Sequence, residues 1–95
     1  MLEQIRGEID RLDEQLVELL AKRRMLVHAA GMAKTQLSEV DAPTRVERVI
    51  DRVRTLADGF GLEPRVAEAT FRAMIREFIE VERELFVRKA SNSEQ

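Results

Sequence analysis

Apolar residues recur along the first third of the chain at Leu2, Ile5, Ile9, Leu12, Leu16 and Leu19, then at Leu26, Ala30 and Ala33, in alternating steps of three and four. This is the stripe of an amphipathic helix, with Arg23 standing where the next apolar residue is due. No proline interrupts Leu2 to Lys34, and the weak helix formers Gly7 and Gly31 lie near the two ends. The pattern predicts one helix from about Leu2 to about Gln36, roughly 50 Å long at 1.5 Å per residue. A compact chain of this size has a radius of gyration of only about 12 Å, so such a helix projects beyond its own subunit. A second copy that covers the projecting half, in an interlocked homodimer, is the simplest arrangement.

The segment Leu37-Ser38-Glu39-Val40-Asp41-Ala42-Pro43 breaks this pattern. Pro43, Thr44 and Glu47 then read as a capping-box start for a second helix, with Asp41 as a competing cap. Val46, Val49, Ile50, Val53, Leu56 and Ala57 give it one apolar face, and Asp58-Gly59-Phe60-Gly61 ends it. A third helix is predicted from about Pro64 through Val66, Phe71, Met74, Ile75, Phe78, Ile79, Leu85 and Phe86. Its apolar residues occupy a wide arc, which predicts burial of most of its girth. The polar tail from Ala90 to Gln95 is expected to fray, with residues 91–95 outside the ordered helix. The expectation is a single all-α domain over 1–95, three helices per chain, interlaced in a homodimer.

Composition narrows the chemistry. With 95 residues and no cysteine, disulfides and thiolate sites are impossible, and the single histidine, His28, cannot build a histidine metal cluster. Sixteen Lys and Arg against eighteen Asp and Glu leave a net charge of -2, which lacks the basic excess of a general nucleic-acid binder. No apolar run approaches the roughly 20 residues of a membrane span, and no signal-peptide core opens the sequence. These features predict a cytoplasmic protein that works with carboxylates, Lys and Arg, without a metal or other cofactor.

The informative residues are charges on or beside apolar stripes. Arg23 interrupts the first stripe, and Glu82 follows Phe71, Ile75 and Phe78 on the third helix. Taken singly, each is explained by an intramolecular ion pair, and a second stripe through Phe71, Met74, Phe78, Val81 and Leu85 leaves Glu82 on the boundary. Lys34 near the end of the first helix suits the helix dipole, whereas Arg45 in the first turn of the second opposes it unless an anion sits there. Arg6 lies at the edge of the first stripe beside Ile5. The Lys22-Arg23-Arg24 run and His28 read as a solvated surface. Four cations and one semi-buried acid on a helical dimer fit a closed pocket for a small polyanion, because guanidinium forks match carboxylates bidentately.

The sequence resembles the small all-helical chorismate mutases and their isochorismate-pyruvate lyase relatives, from about Leu2 to Phe86. The resemblance rests on Ile5-Arg6-Gly7-Glu8-Ile9-Asp10-Arg11-Leu12-Asp13, on Lys22-Arg23-Arg24, on Ala33-Lys34 and on Pro43-Thr44-Arg45-Val46. It implies an interlaced dimer with two equivalent pockets, each completed by one arginine of the partner, and a purely pericyclic reaction on a small dicarboxylate. Position by position, Arg6 is similar to the arginine donated across the dimer, and Arg23 to the one that clamps a substrate carboxylate in its own subunit. Lys34 resembles the lysine that bonds the enolpyruvyl ether oxygen and a carboxylate. Arg45 resembles the supporting arginine of the second helix, and Glu82 stands where bacterial members usually carry a glutamine that donates to the ether oxygen.

Those residue types suit the chemistry. As chorismate becomes prephenate, the ether C–O bond breaks before the new C–C bond is complete, and a cation at that oxygen stabilises the growing charge. Arginines on both carboxylates hold the enolpyruvyl group over the ring, which is catalysis by orientation.

Three positions depart from the mutase pattern. Val46 replaces a glutamate that holds the C4 hydroxyl of chorismate, as in the lyases and in mutases of 4-amino-4-deoxychorismate. The short spacing from Lys34 to Arg45 with Ala42-Pro43 is also lyase-like, and Phe78 stands where mutases often have a small hydroxyl residue. Glu82 must be protonated to donate, with burial raising its pKa and Lys34 and Arg23 lowering it. Donation by Glu82 predicts activity that falls as pH rises, with a flatter profile in Glu82→Gln. Chorismate mutase, the commoner activity of the family, is the leading expectation and isochorismate-pyruvate lyase the alternative. A helical dimerisation or regulatory module without catalysis is the reading from another class.

Overall fold

The computed structural model describes residues 1–33 and 42–93. They form three helices and no strand: α1 (Leu2–Ala33), α2 (Ala42–Phe60) and α3 (Pro64–Ser93). The chain divides into two compact units, Met1–Lys34 and Thr35–Gln95.

The first unit is α1, opened by a hydrogen bond from the Ile5 amide to the Met1 carbonyl at 3.1 Å. Its solvated face is tied locally, by Lys22 to Glu18 at 3.2 Å and by the Arg11 Nε donating to the Gly7 carbonyl at 3.3 Å. No α1 side chain is buried. The stripe residues Ile5, Ile9, Leu12, Leu16, Leu19 and Leu26 are 46% to 71% exposed within one chain. A helix with this much apolar surface in water lacks the burial that stabilises helices in proteins. The expected last turn through Gln36 lies outside the described residues.

The second unit is a helical hairpin of α2 and α3. Its core is Ile50, Val53, Ala57 and Ala67, with Ile50 only 2% exposed, and Val49 and Phe71 pack against the cluster. Alanines at 57 and 67 fit the end nearest the turn, where the two helix axes must converge. Gly61 closes α2 in the left-handed region at φ 77°. Its amide donates to the Asp58 carbonyl at 3.2 Å, and the Leu62 amide donates to the Ala57 carbonyl at 2.8 Å. These are the paired bonds of a Schellman cap, which satisfy carbonyls that the helix end leaves open. Pro64 then takes the first position of α3, where its missing N–H costs nothing.

Three expectations are corrected. α2 begins at Ala42, so Thr44 is inside the helix and is not its cap; Asp41, the competing cap, lies outside the described residues. Glu47, expected to reach back to the cap, instead turns to α3. α3 continues through residues 90–93, since nothing after Pro64 breaks a helix, so most of the tail expected to fray is helical. Its girth is also less covered than its apolar arc suggested: Ile79 and Val87 are exposed, and Met74, Ile75, Phe78 and Val81 are half-buried. The reason is the register. Glu47 meets Arg72, so the first residue of α2 falls about level with Phe78, and the later turns of α3 have no further turn of α2 to pack on.

Candidate active site

Each expected site residue has a defined place. Arg6 and Arg23 are on α1, with Arg6 exposed and Arg23 half-buried; Gly7 and Arg23 are the two half-buried residues of α1, and the rest are exposed. They stand seventeen positions apart, about 26 Å along the helix axis. That separation is too long for both to hold one small dicarboxylate from the same helix. Lys34 lies outside the described residues.

Arg45, Val46, Phe78 and Glu82 belong to the hairpin. Arg45 is exposed at the end of the first turn of α2, which contains no acidic side chain, so its charge opposes the helix dipole there. Val46 is half-buried beside it. Phe78 and Glu82 are both half-buried, one turn apart on the row that continues from Phe71, the residue seated on the core. The register places Glu82 about one turn past the start of α2. All four lie in the half of the hairpin away from the Gly61 turn.

Beside them runs an ion-pair chain that sequence spacing does not reveal. Arg72 donates from Nη1 and Nη2 to the two oxygens of Glu47, both at 3.1 Å, and from Nε to Glu68 at 2.7 Å. Arg54 donates to the other oxygen of Glu68 at 2.7 Å. The Glu68 and Arg72 spacing of one helical turn could be noticed in the sequence, but Glu47 is 25 residues from Arg72 and pairs with it only once the hairpin register is known. The Arg72 bonds hold the Glu47 carboxyl below the usual glutamate range, and Arg72, followed by Arg54, does the same for Glu68. In return both carboxylates raise the pKa of the Arg72 guanidinium.

Among the described residues, no group of three or more His, Cys, Asp or Glu side chains is arranged to hold a metal ion. No described helix is long and apolar enough to cross a membrane. His28 is exposed on α1.

An all-α chain with cations at these intervals is a recognisable class of protein. Residues 5–83 match the chorismate mutase type II family, and the chain belongs to that family. It is 35% identical over 77 residues to the T-protein of Haemophilus influenzae, covering 80% of this chain and 20% of that protein. It is 32% identical over 78 residues to the isochorismate pyruvate lyase of Pseudomonas aeruginosa, covering 82% and 77%. It is 28% identical over 75 residues to the chorismate mutase of Methanocaldococcus jannaschii, covering 78% and 76%. The chain therefore spans about a fifth of the length of the first of these relatives and about three quarters of the other two. No solved structure is a significant match.

Proposed function

We propose that the protein is a chorismate mutase, converting chorismate to prephenate in a pocket built from two copies of the chain. The observation that carries this reading is the family match over residues 5–83, which spans every candidate from Arg6 to Glu82. Arg23 and Arg45, with Arg6 of the partner subunit, bind and orient the carboxylates. Lys34 donates to the ether oxygen, and Glu82 stands beside it in the pocket. The C–O bond breaks and the C–C bond forms in one cyclic shift of electrons, and charge that builds on the oxygen is met by donors already in position. No proton leaves the substrate and no covalent intermediate forms.

Two features support the dimer. The α1 stripe is exposed in one chain, and covering each leucine is worth about 1.5–3 kcal/mol. Arg6 and Arg23 are also too far apart on α1 to serve one pocket from one chain, so a contribution from a second copy reconciles them. In this reading the two units of the chain act as one functional domain within the dimer.

Isochorismate-pyruvate lyase is the second reading, favoured by Val46 and Phe78. There the same C–O bond breaks while a ring hydrogen passes to the enolpyruvyl methylene, giving pyruvate and aromatic salicylate. The test is a paired assay of the purified protein with chorismate and with isochorismate, following prephenate and salicylate. Prephenate at the higher kcat/KM supports the mutase; dominant salicylate makes the lyase correct, and neither product removes both.

A further inference from the structure

We propose that Arg72 is a positioning residue, which grips Glu47 and thereby fixes the opening turns of α2, with Arg45 and Val46, against the face of α3 that carries Phe78 and Glu82. This rests on the reading that those four residues line the substrate pocket.

The hairpin is held by apolar packing chiefly towards its turn. Its apolar core runs from Ile50 through Val53 and Ala57 to Ala67, towards the Gly61 turn. N-terminal to Ile50, no described α2 side chain is buried, and Val46 and Val49 are only half-buried. Hydrophobic restraint therefore thins out at the turns that bear Arg45 and Val46. At that level the two oxygens of Glu47 receive Nη1 and Nη2 of Arg72, both at 3.1 Å. A fork-to-fork pair fixes angle as well as distance, which a single contact does not.

Arg72 is itself held. Its Nε donates to Glu68 at 2.7 Å, and Glu68 is held from α2 by Arg54 at 2.7 Å. The chain Arg54, Glu68, Arg72, Glu47 crosses between the helices twice, so the fork is aimed before it meets Glu47. Residues 45 and 47 are about 200° apart around the helix, with Val46 between them. A clamp on Glu47 therefore sets the rotation of α2 about its axis, and that rotation sets the direction of Arg45. A misdirected Arg45 holds the substrate carboxylate less well in the ground state and the transition state alike, which raises KM more than it lowers kcat.

The test compares Glu47→Gln, Arg72→Gln, Arg72→Lys and the double glutamine variant with the wild-type full chain. Glu47→Gln leaves the Arg54–Glu68 and Glu68–Arg72 bonds in place, so it remains informative if Arg72→Gln folds poorly. The readouts are kcat and KM on whichever isomer the wild type turns over, and hydrogen exchange along α2. The expected result is a KM about 3- to 10-fold higher in each single variant with a smaller change in kcat, and a double variant no worse than the worse single. Lysine at 72 is expected not to restore KM, because an ammonium cannot make the fork. Amide exchange is expected to quicken over residues 45–50 and to stay unchanged over 53–60. Unchanged KM in folded variants, multiplicative losses in the double variant, or uniform exchange along α2 would each overturn the proposal. If the wild type turns over neither isomer, the functional reading has failed by itself; the exchange pattern then decides whether the clamp holds the turn.

Discussion

The Leu62 amide reaches back 2.8 Å to the carbonyl of Ala57, across a glycine at φ 77°. This bond turns the chain out of α2 and sets where α3 starts, so the hairpin register begins at Gly61. Space is not the restriction, since a Cβ added at Gly61 meets nothing within 4 Å. The backbone conformation is. Gly61→Ala is predicted to destabilise the fold by about 1–2 kcal/mol, the cost of the left-handed region for an L-residue. Thermal melts followed by circular dichroism should show the loss, and an unchanged midpoint would mean that the turn relaxes into another form.

The ion-pair chain predicts acid sensitivity of a definite sign. Glu47 and Glu68 titrate below their ordinary value in the folded hairpin, so the native state binds fewer protons than the unfolded one. Their contribution is complete above the unfolded glutamate pKa of about 4.3 and is lost as pH falls below it through the lowered folded values. Melts from pH 7 to pH 3 should show wild-type stability declining in that acid window. Arg72→Gln should decline less, because the pairing has already been removed. Parallel curves for the two proteins would contradict the assignment.

Much of this fold was legible in the sequence. The alternation of three and four marked α1, and the Asp58-Gly59-Phe60-Gly61 and Pro64 signals bounded the hairpin turn correctly. The capping rule fails at α2 because Thr44 lies inside the helix and Glu47 pairs with Arg72 across the hairpin. Within one chain α3 is less covered than its apolar arc suggests, because α2 packs on one side only and the later turns of α3 run past the start of α2. For the site, residue types and spacing single out candidates only. The register of the hairpin, set by pairs such as Arg72 with Glu47, depends on long-range contacts, which periodicity does not encode.

The exposed face of α1 predicts a specific failure. Leu16, 58% exposed in one chain, sits in the middle of the stripe and becomes interfacial in the proposed dimer. Leu16→Glu should place two carboxylates in that interface, one from each copy. Sedimentation should then show a monomer of low thermal stability at concentrations where the wild type is a dimer. A mutant dimer of unchanged stability would mean that the stripe is covered in another way.

Val46 predicts substrate preference. A glutamate there supplies the hydrogen-bond partner that the family's mutases use for the C4 hydroxyl. An acidic residue in the opening turns of a helix is also compatible with its dipole. Val46→Glu should raise the ratio of kcat/KM for chorismate over isochorismate about tenfold or more, the usual return on a hydrogen bond to a substrate hydroxyl. A constant ratio would exclude position 46 from substrate discrimination.

The most direct test of the central claim, one pocket shared between two chains, is subunit complementation. Arg6→Ala and Arg23→Ala are each expected to be nearly inactive alone. After the two variants are mixed and allowed to exchange subunits, half of the dimers should be mixed, and one of the two pockets in each should hold both arginines. Recovery of about a quarter of wild-type activity is therefore expected under random pairing. Activity that stays at the average of the two parents would mean that Arg6 and Arg23 do not meet in one pocket across the dimer.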